Sequence, residues 1–162
     1  MARINLKFSF STILLTIAIA ISACSKQTTA IELCSGASDP RLCESLVKGM
    51  SDAIEATESI INKLIKEIEG AKKKAGKKGG TNENVELCLK DYDDSISDLK
   101  EALKHIKDGD KASAQTKLSG VISSMEACQD AYSEEDSVSP FTKKNNLFKF
   151  TADTCLSIYE KA

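Results

Sequence analysis

Residues 85–132 read VELCLKDYDDSISDLKEALKHIKDGDKASAQTKLSGVISSMEACQDAY, and the spacing of their apolar side chains indicates how the chain folds. In the first half these side chains advance by four and three residues, through Val85, Leu89, Tyr92, Ile96, Leu99, Leu103 and Ile106. In the second half the same steps run through Ala114, Leu118, Val121, Met125, Cys128 and Tyr132. Such spacing places apolar side chains on one face of a helix. Because KDGD at 107–110 contains a glycine that can end a helix, the stretch predicts an antiparallel helical hairpin.

Two further apolar stripes lie on either side of this hairpin. One runs through Val47, Met50, Ile54, Thr57, Ile61, Leu64 and Ile68, and the other through Leu147, Phe150 or Thr151, Thr154 and Ile158. The chain has two prolines, Pro40 and Pro140, so no proline interrupts a helix between them. Four stripes predict an all-α protein, with an antiparallel up-and-down four-helix bundle over residues 47–162.

A lysine- and glycine-rich run, AKKKAGKKGGTNEN at 71–84, separates the first two stripes. Glycine and clustered like charges are typical of solvated connections, so we expect a flexible loop over 71–84. A surface that binds a polyanion, such as pectin or a membrane, is the alternative interpretation of this run.

The cysteines can be paired by the geometry of a hairpin, in which residues equidistant from the turn face each other. The midpoint of Cys88 and Cys128 is residue 108, inside KDGD, and the midpoint of Cys34 and Cys43 lies between residues 38 and 39. We therefore predict disulfides Cys34–Cys43 and Cys88–Cys128, of which the first clips a short N-terminal helical hairpin over 31–46. Cys155 is left on the apolar side of the last helix, where we expect a buried free thiol. A thiol that links two chains or pairs with Cys24 is the alternative.

The first 24 residues have the three parts of a secretory signal peptide: Arg3 and Lys7, an apolar run, and small residues near Ala23. We expect a protein of residues 25–162 that is secreted, monomeric and without a membrane anchor. Residues 25–162 contain 20 basic and 24 acidic residues, and this net negative charge is unfavourable for binding nucleic acid. The sequence ISAC at 21–24 also fits a bacterial lipoprotein, and a lipid-anchored helical protein is therefore a distant alternative.

The sequence offers little for catalysis or for metal binding. It has one histidine, His105, and no CxxC pair, so neither a zinc site nor a Ser-His arrangement is predicted. No glycine-rich phosphate loop precedes a helix. We expect no enzyme activity, no metal and no cofactor.

Several motifs resemble the plant invertase and pectin methylesterase inhibitor family. Cys34, Pro40, Cys43, Ser45 and Leu46 resemble the opening motif of that family. ELCLKDYDDSISDLKEAL, DGDKASAQTKLSGVISSMEACQDAY and SPFTKKNN resemble three of its helices. The resemblance covers residues 31–162 and implies a four-helix bundle preceded by a clipped hairpin.

The resemblance also implies a function. Members of this family are secreted into the plant cell wall, the apoplast, and inhibit a carbohydrate-active enzyme by forming a stoichiometric complex. The invertase inhibitors carry Pro-Lys-Phe after the Gly-Asp turn, where this chain has Lys111-Ala112-Ser113. Cys155 stands where pectin methylesterase inhibitors often carry a fifth cysteine. Both points favour pectin methylesterase as the partner, with acid invertase as the alternative. A non-inhibitory structural or signalling module on the same scaffold is a further alternative.

An acidic patch is the predicted contact with the enzyme, whose groove handles an acidic polymer. Asp91, Asp94 and Asp98 lie at spacings of three and four on one side of a helix, and Asp130 lies on the next helix. The resemblance places Asp94 and Asp130 where the family often has acids. Ordinary solvated helix surface is the alternative interpretation of all four residues.

Overall fold

The structure, a computed structural model, describes residues 30–78, 82–135 and 137–162. The predicted signal peptide lies outside the described residues. Residues 30–34 are helical (α1), and five helices follow: α2 (Pro40–Leu46), α3 (Ala53–Lys78), α4 (Glu83–Asp108), α5 (Lys111–Ser133) and α6 (Thr142–Tyr159). The prediction of an all-α fold is confirmed.

The four long helices form a closed bundle. Helix α4 packs between α3 and α5, and α6 packs between α5 and α3, so each helix contacts its neighbours in the chain and α6 closes the ring. Short connections between such neighbours make them antiparallel. The predicted four-helix bundle is confirmed, and α2 packs against α6 at its edge.

The turn between α4 and α5 has the conformation that KDGD predicts. Gly109 has a left-handed backbone with φ of +70°, and its N–H donates to the carbonyls of His105 and Ile106. Asp110 then begins α5, because its carboxylate accepts a 3.1 Å hydrogen bond from the N–H of Ser113. Gly109 ends α4 and Asp110 caps α5, so these two residues define the turn of the hairpin.

The predicted stripes form much of the core. All six stripe residues of α5 are buried, and Tyr92 of α4 lies at the centre of an aromatic cluster with Phe141 and Phe148. The hydroxyl of Tyr92 donates a 2.7 Å hydrogen bond to Oδ1 of the buried Asn145, so this polar pair is satisfied inside the core.

One stripe position differs from the prediction, and the structure decides between the two alternatives at another. Ile54 is 44% exposed because α3 begins only at Ala53, after a turn in which Gly49 has a φ of +84°. Asp52 begins this helix by accepting a hydrogen bond from the N–H of Glu55. In α6, Phe150 is 40% exposed and Thr151 is buried, so the second of the two predicted registers is the right one.

The prediction of a flexible loop over 71–84 is wrong for residues 71–78, which continue α3, and α4 already begins at Glu83. Alanine and lysine are strong helix formers, and Ala75 extends the apolar face with only 4% exposure. Each helical glycine costs about 1 kcal/mol relative to alanine, and Gly70 and Gly76 are accommodated by this long packed helix. Residues 79–81 lie outside the described part of the chain.

Two disulfides join the cysteine pairs that the midpoints predict. Cys34 and Cys43 have Cα atoms 5.6 Å apart and close the hairpin of α1 and α2, while Cys88 and Cys128 have Cα atoms 4.7 Å apart and join α4 to α5. Cys155 is a buried free thiol in α6, and burial raises its pKa well above the usual range.

The N-terminal hairpin is also held by the end of the chain. The ammonium group of Lys161 donates hydrogen bonds of 2.6 Å to the carbonyl of Leu33 and 2.5 Å to the carbonyl of Ser35. This contact joins distant parts of the sequence, since Lys161 and Ser35 are separated by 126 positions.

Candidate functional site

The four predicted acidic residues occupy different environments on α4 and α5. Asp94 and Asp130 are exposed, Asp98 is half-buried, and Asp91 is buried, with 8% of its surface exposed. The structure therefore brings only part of the predicted patch to the surface.

Asp91 does not belong to the exposed surface, and its prediction as a partner contact is corrected. It follows Cys88 by three residues and precedes Ser95 by four, and both of these residues are fully buried, so it shares their side of α4. Burial raises the pKa of Asp91, and the negative charge of Asp94 raises it further, while Lys90 acts in the opposite direction. Its Oδ2 has no hydrogen-bond partner among the described residues.

We expect Asp91→Asn to stabilise the protein at neutral pH by about 1 kcal/mol, because the ionised carboxylate has an unpaired buried oxygen. The raised pKa means that the folded state binds the proton more tightly than the unfolded state. The charge therefore costs stability above the folded pKa, and the cost vanishes as the pH falls below the unfolded pKa of about 4. Urea unfolding across this pH range measures the effect.

Asp130→Asn is the matched control, since it removes an exposed carboxylate that does not contribute to the raised pKa of Asp91 and should change stability by less than about 0.5 kcal/mol. A gain for Asp91→Asn that persists at low pH would show that the raised pKa is not its cause.

Asp98 forms an ion-pair network across the hairpin. The ammonium group of Lys117 on α5 lies 3.1 Å from Oδ1 of Asp98 and 2.7 Å from Oε2 of Glu101, both on α4. Hydrogen bonding to Glu101 and then to Asp98 raises the pKa of Lys117, and the bond from Lys117 lowers the pKa of Glu101. The negative charge of Asp98 is thus partly compensated within the protein.

Gly120 lets Asp98 approach α5. A Cβ atom at this position would lie 2.4 Å from Oδ2 of Asp98, so a side chain here would force the Asp98 carboxylate to move. Lys117, Glu101 and Gly120 were not among the residues predicted from the sequence. Lys117 and Gly120 lie nearly level with Asp98 by the same hairpin geometry that pairs the cysteines, and Glu101 lies about one turn after Asp98 on α4.

Asp94 and Asp130 are exposed, and neither has a basic partner within 4 Å in the part of the chain that the structure describes, a state that they share with other exposed acids such as Glu86 and Asp108. No lysine or arginine occurs between Lys117 and Lys143, so the outer side of α5 carries no positive charge beyond its first half. We call Asp94, Asp98, Glu101 and Asp130 the α4–α5 acidic surface.

The Cys88–Cys128 bridge fixes the geometry of this surface. Asp94 lies six residues after Cys88, and Asp130 lies two residues after Cys128 on the antiparallel helix. The two carboxylates therefore lie on opposite sides of the bridge, roughly 12 Å apart along the helix axes. A rigid pair of charges at fixed spacing is suited to recognising a partner surface with matching positive charge.

The described residues form neither a metal site nor a membrane-spanning helix. Across 30–78, 82–135 and 137–162, no group of three histidine, cysteine or acidic side chains could hold a metal ion. His105 lies with Nδ1 3.5 Å from Oδ2 of Asp110 at the hairpin turn. None of the described helices is long and apolar enough to cross a membrane.

Comparisons with known proteins agree with this architecture. A family model described as plant invertase/pectin methylesterase inhibitor matches residues 19–158. A curated Arabidopsis thaliana protein, pectinesterase inhibitor 12, is 38% identical over 68 residues, which are 41% of this chain and 39% of that protein. The match thus spans well under half of the relative's length.

Two solved structures share the fold. The crystal structure of mutant form A of a pectin methylesterase inhibitor from Arabidopsis has a TM-score of 0.68 at 19% identity, covering 79% of this chain and 93% of that chain. The crystal structure of a pectin methylesterase inhibitor from Arabidopsis thaliana has a TM-score of 0.60 at 18% identity, covering 82% of this chain and 95% of that chain.

Proposed function

Because the chain belongs to the plant invertase/pectin methylesterase inhibitor family, we propose that it inhibits a pectin methylesterase by forming a stoichiometric complex over the active-site cleft. An enzyme that acts on an acidic polymer should offer a polar and basic groove. The α4–α5 acidic surface is complementary to such a groove in charge. The observation that carries the proposal is the exposure of Asp94 and Asp130, which lie on opposite sides of the Cys88–Cys128 disulfide and have no basic partner within 4 Å among the described residues.

The residues after the Gly-Asp turn favour this target over an acid invertase. The ammonium group of Lys111 donates hydrogen bonds of 3.0 Å and 3.1 Å to the carbonyls of Glu160 and Ala162. It also lies 5.8 Å from the centre of the ring of Tyr159. A residue bound in this way ties α5 to the end of α6, which supports a structural role at the place where the invertase inhibitors carry Pro-Lys-Phe.

The test is a titration of the purified protein against a plant pectin methylesterase and, separately, against an acid invertase. We expect esterase activity to fall in proportion to added protein until equal amounts are present, and invertase activity to stay unchanged. Inhibition of the invertase alone would assign the second target of the family. Inhibition of neither enzyme would favour a structural or signalling module.

We also propose that residues 1–24 direct secretion to the cell wall and that residues 25–162 act there as a monomeric inhibitor. The family to which the chain belongs and the two disulfides support this location, since disulfides persist in oxidising compartments. Mass spectrometry of the mature N-terminus distinguishes ordinary cleavage from acylation at Cys24.

A further inference from the structure

A groove of about 750 Å³ opens between the C-terminal half of α3, the start of α4 and the start of α6. Lys66 and Lys74 line one side, Val85 and Phe141 contribute to the floor, and Lys144 lies on the opposite side. We call this the α3–α6 groove. None of its lining residues belongs to the α4–α5 acidic surface, so the two surfaces are distinct.

The rim of the groove is positively charged. Its charged residues are Lys66, Lys74, Lys144 and a single acid, Glu67. The three lysines are exposed, and in the described residues none has a carboxylate within 4 Å. Positive charge that the protein itself leaves uncompensated favours an anionic ligand.

Helix geometry arranges two of these charges along the groove. Lys66, Gly70 and Lys74 follow one another at intervals of four, so they lie on one face of α3 and span roughly 12 Å. Gly70 leaves the space between the two lysines open, because a Cβ atom there would meet nothing within 4 Å. The groove thus suits an extended ligand better than a single small ion.

The start of α6 adds a second source of positive potential. Its first turn contains Lys143 and Lys144, no acidic residue, and no side chain that caps the helix. Helix N-termini are normally stabilised by negative charge, so lysines here are unfavourable unless an anion is present. This feature is independent of the lysines on α3.

The floor of the groove is apolar. Val85 and Ala75 are buried with 7% and 4% exposure, and Phe141 packs edge-on against Tyr92 and Tyr132. An apolar floor with an aromatic ring suits the C–H faces of sugar rings, while the lysines suit carboxylates. An acidic oligosaccharide presents both chemistries along one extended chain.

We propose that the α3–α6 groove binds a segment of de-esterified galacturonan, with its carboxylates on Lys66, Lys74 and Lys144 and its rings over Val85 and Phe141. The choice of galacturonan among acidic saccharides rests on the proposed function, because this polymer is the product of the esterase reaction. The inhibitor would then associate with the polymer wherever the enzyme has already acted.

The test is calorimetric titration of the purified protein with a short, fully de-esterified oligogalacturonate at low ionic strength. The triple variant Lys66→Gln, Lys74→Gln, Lys144→Gln should bind about tenfold more weakly, and added salt should weaken binding to the wild-type protein. A control variant with Lys48, Lys104 and Lys107 changed to glutamine has the same net charge as the triple groove variant. It should bind the oligomer as tightly as the wild-type protein does. These control lysines are exposed and lie outside the groove.

Gly70 provides a second pair of variants with unchanged lysines. Gly70→Glu places a carboxylate between Lys66 and Lys74 and should weaken binding by about tenfold. Gly70→Gln adds a side chain of similar size without charge, so it measures the steric effect alone and should weaken binding less than Gly70→Glu does. Both variants should stay folded because either side chain suits a helix better than glycine.

Several results would overturn the proposal. The proposal is wrong if the protein does not bind oligogalacturonate or if the two triple variants lose equal affinity for it. It is also wrong if the protein binds the fully methyl-esterified oligomer as tightly as the de-esterified one. Binding of polyglutamate as tight as that of oligogalacturonate would assign the groove to acidic peptides instead.

The assay contains no esterase, so its outcome is separate from that of the inhibition test. A groove variant that binds no oligomer should still inhibit the enzyme fully, and a parallel loss of inhibition would assign the groove to the enzyme interface.

Discussion

Removal of the Cys88–Cys128 bridge should lower the free energy of unfolding by about 4 kcal/mol. The two cysteines have a sequence separation of 40, so the bridge closes a loop of about 40 residues. Without the bridge, this loop is free in the unfolded chain, whose conformational entropy rises. Single domains are stable by only about 5–15 kcal/mol, so a loss of this size is a large fraction of the total. Urea unfolding of a variant with Cys88→Ala and Cys128→Ala measures it.

A local contact adds to this effect. Nδ2 of the fully buried Asn145 donates a 3.0 Å hydrogen bond to Sγ of Cys128, so alanine at 128 leaves a buried amide without its acceptor. Replacing Cys128 with serine in the same double variant keeps an acceptor near that position and should cost less.

The matched control is Cys34→Ala with Cys43→Ala, which removes the short bridge. The same entropic relation predicts a loss of about 2.7 kcal/mol for its separation of 9 residues. Equal losses for the two double variants, or a smaller loss for the long bridge, would contradict the explanation from loop length.

Reversal of charge at Asp94 and Asp130 should weaken inhibition of pectin methylesterase by about a hundredfold. Both side chains are exposed and neither has a basic partner within 4 Å in the described residues, so lysine at these positions should leave the fold intact. Against a basic groove, each reversal turns an attraction into a repulsion, and like charges placed together at an interface cost several kcal/mol. A loss of about 2.8 kcal/mol corresponds to a hundredfold change in affinity.

The measurement is the inhibition titration of the Asp94→Lys, Asp130→Lys variant at two ionic strengths, with thermal unfolding to verify the fold. Glu44→Lys with Glu69→Lys changes the net charge equally at exposed positions of α2 and α3 and should inhibit as the wild type does. Undiminished inhibition by the aspartate variant would remove the α4–α5 acidic surface from the mechanism, and equal weakening of both variants would indicate a general effect of net charge.

The hairpin of α4 and α5 could be predicted closely from the sequence because its signals agree. The three-four spacing of α5 identifies six residues that are all buried, and the turn glycine and capping aspartate lie where the spacing breaks. The midpoint rule pairs Cys88 with Cys128 about residue 108, and it also places Lys117 and Gly120 within two residues of the position level with Asp98. Applying that rule to charged residues would have revealed the ion pair of Lys117.

The end of α3 and the burial of Asp91 were not predictable in the same way. Clustered lysine and glycine at 71–78 are typical of a loop, but the helix propensity of alanine and lysine together with the burial of Ala75 retains the helix there. The spacing of Asp91 from Asp94 and Asp98 indicates a shared side of α4. It does not indicate how far that side turns toward α5, because this depends on how the two helices pack.

The contact between Lys161 and the carbonyls of Leu33 and Ser35 has a consequence for the order of biosynthesis. The N-terminal hairpin is made first, and its bridge between Cys34 and Cys43 is local enough to close early. Its packing partners, α6 and Lys161, are made more than a hundred residues later. The hairpin therefore cannot complete its docking during translation until α6 and Lys161 have left the ribosome.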